Sequence, residues 1–167
     1  MPKSKTQRGR WIIAVSVGLL FVLIAVAIGW FIRRTYTLDK LRQEPATKLV
    51  YPGSVNLLHE ELEPRSYPLE GISYGPKILD IFGSEGSEES ISSFYTQELT
   101  KLGWTLEWDK PTESIYTTKE LFFKKGEPAA LLEFWKKEPF LRTYPSLSKK
   151  GERYSTIFIM SIRSPAK

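Results

Sequence analysis

His59 is the only histidine in the 167-residue chain. Its side chain is the one whose ordinary pKa lies near neutrality. It sits in "HEELE" (His59–Glu63), beside Glu60 and Glu61. Work as a general base would require a nucleophile on one ring nitrogen and an orienting carboxylate on the other. The aspartates stand only at Asp39, Asp80 and Asp109, a spacing that announces no such triad. A second acidic cluster, "SEGSEE" (Ser84–Glu89), invites the same question. Paired carboxylates act as acid and base at a fixed separation, or bind Ca²⁺ or Mg²⁺ as part of a larger oxygen cage. Neighbours on a strand point to opposite faces, so Glu60 and Glu61 cannot converge, and Glu88 and Glu89 suit the first turn of a helix. Both clusters therefore read as solvated surface, and His59 as a structural side chain. The chain has no cysteine. That excludes disulfides, thiol catalysis and cysteine zinc sites. No nucleophile elbow, phosphate-cradling glycine loop or calcium loop is present. The residues point to no catalytic group, no metal site and no cofactor.

Tyrosines on stiff turns are the more suggestive feature. Tyr67-Pro68, Tyr74-Gly75-Pro76 and Tyr144-Pro145 place phenols where a backbone holds them rigidly. Rigid aromatics make good contacts with peptides, glycans or partner proteins. The same rings can instead fold back over a small core. "EPFLRTYPSLSKKGE" (Glu138–Glu152) is longer than most hairpin connections and reads as a binding or mobile loop. Arg142, Tyr144, Lys149 and Lys150 are its candidate contacts, joined by Tyr67 and Tyr74 from the earlier turns.

The elements that would position these groups can be read from periodicity. "VNLLHEEL" (Val55–Leu62) and "KILDIF" (Lys77–Phe82) are predicted strands, with a Pro-, Gly- and Tyr-rich loop between them at Pro64–Pro76. Ser87 is the natural N-cap of a helix whose apolar residues, Ile91, Phe94, Tyr95, Leu99 and Leu102, form one stripe. Gly103 ends it. Trp104, Leu106 and Trp108 then alternate with polar residues, as a strand with one wet face does. "ELFFKK" (Glu120–Lys125), "AALLEFWKK" (Ala129–Lys137) and "RYSTIFIMSIR" (Arg153–Arg163) are three more strands, the first two joined by the turn "KGEP". This order gives an α+β domain: one amphipathic helix on a mostly antiparallel sheet of five or six strands.

The formal charge of +5 belongs to one end of the chain. Residues 1–47 hold eight Lys or Arg against two acids, and the other 120 hold sixteen against seventeen. A basic surface that would neutralise nucleic-acid phosphates is therefore not expected. "WIIAVSVGLLFVLIAVAIGWFI" (Trp11–Ile32) runs for 22 residues without a charge. As a helix it would be roughly 33 Å long, enough to cross a hydrocarbon core, with Trp11 and Trp30 at the interfaces. "AVA" at Ala25–Ala27 resembles a signal-peptide cleavage site, but the apolar run continues past it, which favours an uncleaved anchor. The predicted organisation is a basic cytoplasmic tail (1–10), a transmembrane helix (11–32), a juxtamembrane stalk (33–48) and an extracytoplasmic domain (49–167). Lys and Arg are balanced on the two sides of the span. The N-inside orientation rests on the short tail being the easier piece to retain and on long domains translocating largely regardless of charge. Ala14, Gly18, Ala25 and Gly29 share one helix face, a pattern that would let two helices pack as a homodimer, though Ala and Gly are also simply common in such spans.

"LVYPGS" at Leu49–Ser54, followed by "FYTQELTKLGW" at Phe94–Trp104, resembles small bacterial envelope domains of unknown function. These combine a YPG-type start, an F-Y-x-x-x-L-x-x-x-G-W helix and a strand meander, often behind a membrane or lipid anchor. The likeness covers Leu49 to Arg163. It implies a compact anchored domain and supplies no catalytic residues. The missing cysteine separates this chain from lipid-anchored relatives. The leading expectation is a non-catalytic interaction module at the outer side of a bacterial cytoplasmic membrane, with the bilayer and another envelope protein or polymer as partners. An accessory subunit of a larger membrane complex, or a small envelope hydrolase, are the alternatives.

Overall fold

A computed structural model describes residues 22–24, 37–67 and 72–165. The chain separates into two units, Met1–Thr35 and Tyr36–Lys167, and all the described strands lie in the second. No helix among the described residues is long and apolar enough to cross a membrane. Residues 22–24 are helical, and their side chains are exposed. The rest of the expected span, with Ala14, Gly18, Ala25 and Gly29, lies outside the described residues.

Ser87 starts the helix on which the sheet packs. Its hydroxyl accepts a hydrogen bond from the Ser90 amide, satisfying one of the free donors of the first turn of α2 (Glu88–Lys101). Glu88 and Glu89 lie in that turn, where negative charge suits the helix dipole. Ile91, Tyr95 and Leu99 are fully buried, and Phe94 and Leu102 are partly so, which realises the predicted stripe. At about 1.5–3 kcal/mol for each fully buried side chain, this stripe is a principal source of stability. Gly103 ends the helix at φ 81°, a conformation glycine adopts without steric cost.

Six strands form one antiparallel sheet: β1 (Val55–Leu62), β4 (Lys77–Ser84), β5 (Thr105–Pro111), β6 (Thr117–Lys124), β7 (Ala129–Trp135) and β8 (Thr156–Arg163). Their order across it is β1-β4-β8-β7-β6-β5. Two interior strands, β4 and β8, are buried on both faces, which is why they read as nearly unbroken apolar runs. A separate hairpin, β2 (Arg65–Tyr67) and β3 (Ile72–Tyr74), occupies the region expected to be an irregular loop.

α2 covers one face, burying Ile78, Phe82, Trp104, Leu121, Phe123, Leu132, Phe134, Phe158, Met160 and Ile162. The same core takes in α1 (Leu38–Gln43) and the 3-10 turn Pro45–Lys48 through Leu38, Leu41 and Ala46. The expected stalk is therefore part of the domain from Leu38 onward, because three apolar side chains at helical spacing find the sheet. Arg42 fastens it, with Nε 3.0 Å from both carboxylate oxygens of Glu61, and Lys125 meets Glu44 at 3.3 Å.

The opposite face holds a smaller core of Leu57, Leu79, Ile81, Ile157 and Ile159 beneath Phe140 and Leu147. Those two lids come from the segment expected to be a long loop. It folds instead as α3 (Lys137–Thr143), the 3-10 turn Pro145–Leu147 and α4 (Ser148–Gly151). Trp108 departs from the predicted alternation. A bulge between Leu106 and Trp108 leaves Trp104 and Leu106 in the α2 core and turns Trp108 to the opposite face, where it stacks on Phe122 at 5.3 Å.

Candidate functional site

The face of the sheet away from α2 is covered only in part. α3 and α4 lie over the end that carries Ile81 and Ile157. Strand alternation puts Glu133 of β7 and Glu120 of β6 on the same face level with Ile81 and Ile159, Glu60 of β1 and Ser161 of β8 one row further out, and Lys77 of β4 and Arg163 of β8 in the last row, with Ala129 and Lys124 beside them. A cavity of about 940 Å³ opens there, between the β2–β3 hairpin and the β6–β7 turn. It is of the size that holds a drug-sized ligand. Leu62, Tyr74, Ala129 and Pro165 give it apolar walls. Four cations line it, Arg65, Lys77, Lys124 and Arg163, against the carboxylates of Glu63 and Glu127. Gly75 is also in the wall, at a position where a Cβ would fall 2.1 Å from the Ser164 carbonyl oxygen.

The charges on this face are only partly balanced. Lys77 and Arg163 are directly paired residues of β4 and β8. Neither makes an ion pair among the described residues. Burial lowers the pKa of Lys77 against the weaker pull of Glu133, and Arg163 lowers it further. Glu133 is raised, first by burial and then by Glu120, the residue opposite it on β6. Tyr144 overlooks the strip from the end of α3. Burial raises its phenol, and the carboxylates of Glu60 and Glu133 add to that shift. Its ring packs on Phe140 at 5.1 Å and on Trp135 at 6.0 Å.

The candidate contacts therefore part company. Tyr74 lines the cavity and is exposed, while Tyr144 is half-buried and serves the second core as well as the strip. Tyr67 is placed in β2 opposite Ile72. Arg142, Lys149 and Lys150 are exposed on α3 and α4 away from the cavity, with Arg142 paired to Glu138 at 2.6 Å. The cations that do line the cavity were not singled out from the sequence. Lys77 and Arg163 each look like a strand-end residue, and only the pairing of strands about 80 positions apart brings them together. The usable signal was parity: each lies on the same side of its strand as the buried Leu79 and Ile159.

His59 has found partners that its spacing did not suggest. Its Nδ1 is 2.8 Å from Asp80 Oδ1, so a carboxylate that can only accept fixes the proton on that nitrogen. Asn56 donates to the same oxygen at 2.8 Å, and His59 Nε2 lies 3.6 Å from Glu61 Oε1. Among the described residues, the side chains nearest the two nitrogens are carboxylates, the one at Nε2 beyond hydrogen-bond distance. Its pKa is raised, chiefly by the Asp80 hydrogen bond. The cluster joins β1, β4 and α1 through Glu61 and Arg42. Among the described residues no group of three or more His, Asp or Glu is arranged to hold a metal ion.

Comparison of the chain with known protein families, with characterised proteins and with solved structures returns no match.

Proposed function

We propose that the chain is a single-pass membrane protein, anchored by residues 11–32 with its N-terminus inside, whose outer domain is a binding module rather than an enzyme. It would belong with the small anchored envelope domains whose YPG and F-Y-x-x-x-L-x-x-x-G-W residues it resembles. The observation that carries the binding reading is the partly uncovered sheet face with its cavity of about 940 Å³, walled by apolar side chains and lined by four cations. A rigid sheet with unbalanced charge at the floor of a concave site suits recognition. The anchoring rests on the 22 uncharged residues of Trp11–Ile32, at roughly −0.3 to −0.6 kcal/mol for each Leu, Ile, Val and Phe. A hydrolase reading would need His59 to face a nucleophile, and its two nitrogens face Asp80 and Glu61 instead.

The test is fractionation followed by protease protection on intact cells. Residues 37–167 should be degraded from outside while the chain resists alkaline carbonate extraction. Recovery of the intact chain in a high-speed supernatant without detergent would refute the anchor. Crosslinking pulldown of the full-length protein then reports what the outer domain holds.

A further inference from the structure

From this reading of residues 11–32 as a membrane span, we infer that the cavity at the open end of the sheet takes the headgroup of an anionic phospholipid. Lys77 and Arg163 are the groups that read its charge. Three observations converge on this.

The first is charge. Like charges placed directly opposite on neighbouring strands repel one another, and a sheet normally avoids them or supplies a counter-ion. Lys77 and Arg163 stand in that arrangement at the floor of a concave site, with no ion pair among the described residues, and Arg65 and Lys124 line the same space. Glu60 and Glu133 offset part of this charge from a distance without pairing to it, and a bound phosphate would accept hydrogen bonds from both side chains at once.

The second is shape. The apolar part of the wall, Leu62, Tyr74, Ala129 and Pro165, adjoins the cations. An anion that carries hydrocarbon satisfies both surfaces, whereas a bare phosphate satisfies only one.

The third is position. α1 and the turn after it are fastened by Arg42 to Glu61 and by Glu44 to Lys125. Glu61 immediately precedes Leu62 and Glu63 of the cavity wall, and Lys125 lies between Lys124 and Gly126 of that wall. The chain thus enters the domain at the same end of the sheet as the cavity. In the sequence, only residues 33–37 separate the proposed span from α1, and basic side chains of a domain tethered to a bilayer are drawn to anionic headgroups.

The experiment uses the full-length protein in lipid nanodiscs that contain a photoreactive phosphatidylglycerol or a photoreactive phosphatidylcholine, with crosslinks mapped by peptide. The expected result is labelling of the peptides that carry Tyr74–Lys77 and Arg163–Pro165 at least fivefold stronger with the anionic probe. Lys77→Gln with Arg163→Gln should reduce that ratio to within twofold of unity. Lys149→Gln with Lys150→Gln, which removes the same charge elsewhere, should leave it unchanged. Ala129→Trp fills the cavity without altering charge and should abolish the labelling even if the double charge variant folds poorly. Equal labelling by the two probes, or a preference that survives both cavity variants, would overturn the inference. So would a membrane-inserted chain with an unlabelled cavity, which leaves the anchor intact. A chain that fails to enter the disc overturns the anchor itself, and the lipid site with it.

Discussion

Lys77 and Arg163 face each other across β4 and β8, two cations in register with no ion pair to either among the described residues. Burial adds to the cost of the Lys77 charge and lowers its pKa below the usual 10.5. The charge is therefore a penalty to the unliganded fold. It is present in full at pH values below the depressed folded pKa and is relieved as pH rises toward 10.5, where the unfolded chain also loses its proton. Lys77→Met keeps the length and removes the charge, so at pH 7 it should stabilise the protein, by an amount on the order of 1 kcal/mol. The gap between variant and wild type should narrow as pH rises from the depressed folded value toward 10.5. Chemical unfolding followed by near-ultraviolet circular dichroism measures both. A clear loss of stability at pH 7 would mean that Lys77 is held by a partner in the native fold.

Trp104 closes the α2 core at 2% exposure, and its indole Nε1 is buried without a hydrogen-bond partner. The ring therefore contributes through packing, and its unpaired polar atom is a penalty. Trp104→Ala should cost about 3–5 kcal/mol, as buried aromatic truncations do. Trp104→Phe loses volume but removes the unpaired N–H, which by itself costs roughly 1–3 kcal/mol, so it should be much milder. Denaturant titration of the two variants separates the terms. Near-wild-type behaviour of the alanine variant would show that the ring is not part of the core.

Leu41 is fully buried although it lies in the segment that reads as a stalk. Leu41→Ala should destabilise the domain by about 2–5 kcal/mol. Lys40→Ala, one residue away on the exposed side, should change stability by less than about 0.5 kcal/mol. A free tether would make the two variants equivalent, so their difference in unfolding midpoint decides whether the domain begins near residue 37.

Wherever one local rule sufficed, the sequence was a good guide. Ser87, the 3.6-residue stripe and Gly103 delimit α2 because capping, periodicity and positive φ are all properties of neighbours along the chain. The motif that carries the family resemblance has a packing explanation: Tyr51 meets Phe94 edge-on at 5.5 Å, and the Tyr95 hydroxyl donates to the Leu49 carbonyl at 3.3 Å. Those residues lock the start of the domain to α2, which makes them informative about fold and silent about ligand. Two features escaped for want of a local signal. The bulge at Leu106–Trp108 adds one residue to a strand, and alternation cannot reveal it. The helical turns of 137–151 were hidden by Pro139, Pro145 and Gly151, which read as loop until Phe140 and Leu147 are seen to need a sheet face to cover. The candidate site was the least legible, because its cations come from strands and turns that only long-range pairing assembles.

His59 lies between Asp80 and Glu61 at the margin of the sheet, about half exposed. Its pKa is raised above 6.5 first by the hydrogen bond to Asp80, while Glu61 is lowered below 4.5 first by its hydrogen bonds with Arg42. A base whose folded pKa is raised contributes stability that is complete below pH 6.5 and is lost as pH rises through the folded value. An acid whose folded pKa is lowered contributes above pH 4.5 and fails as pH falls through its own. The clasp between α1, β1 and β4 is thus intact from about pH 4.5 to 6.5. Wild-type protein should unfold at a lower urea concentration at pH 8 than at pH 5.5, by a small margin because the ring is solvent-screened. His59→Gln retains a donor toward Asp80 but cannot titrate, so its midpoint should barely change between the two conditions. Identical pH dependence in the two proteins would place the titrating group elsewhere and reduce His59 to a passive edge residue.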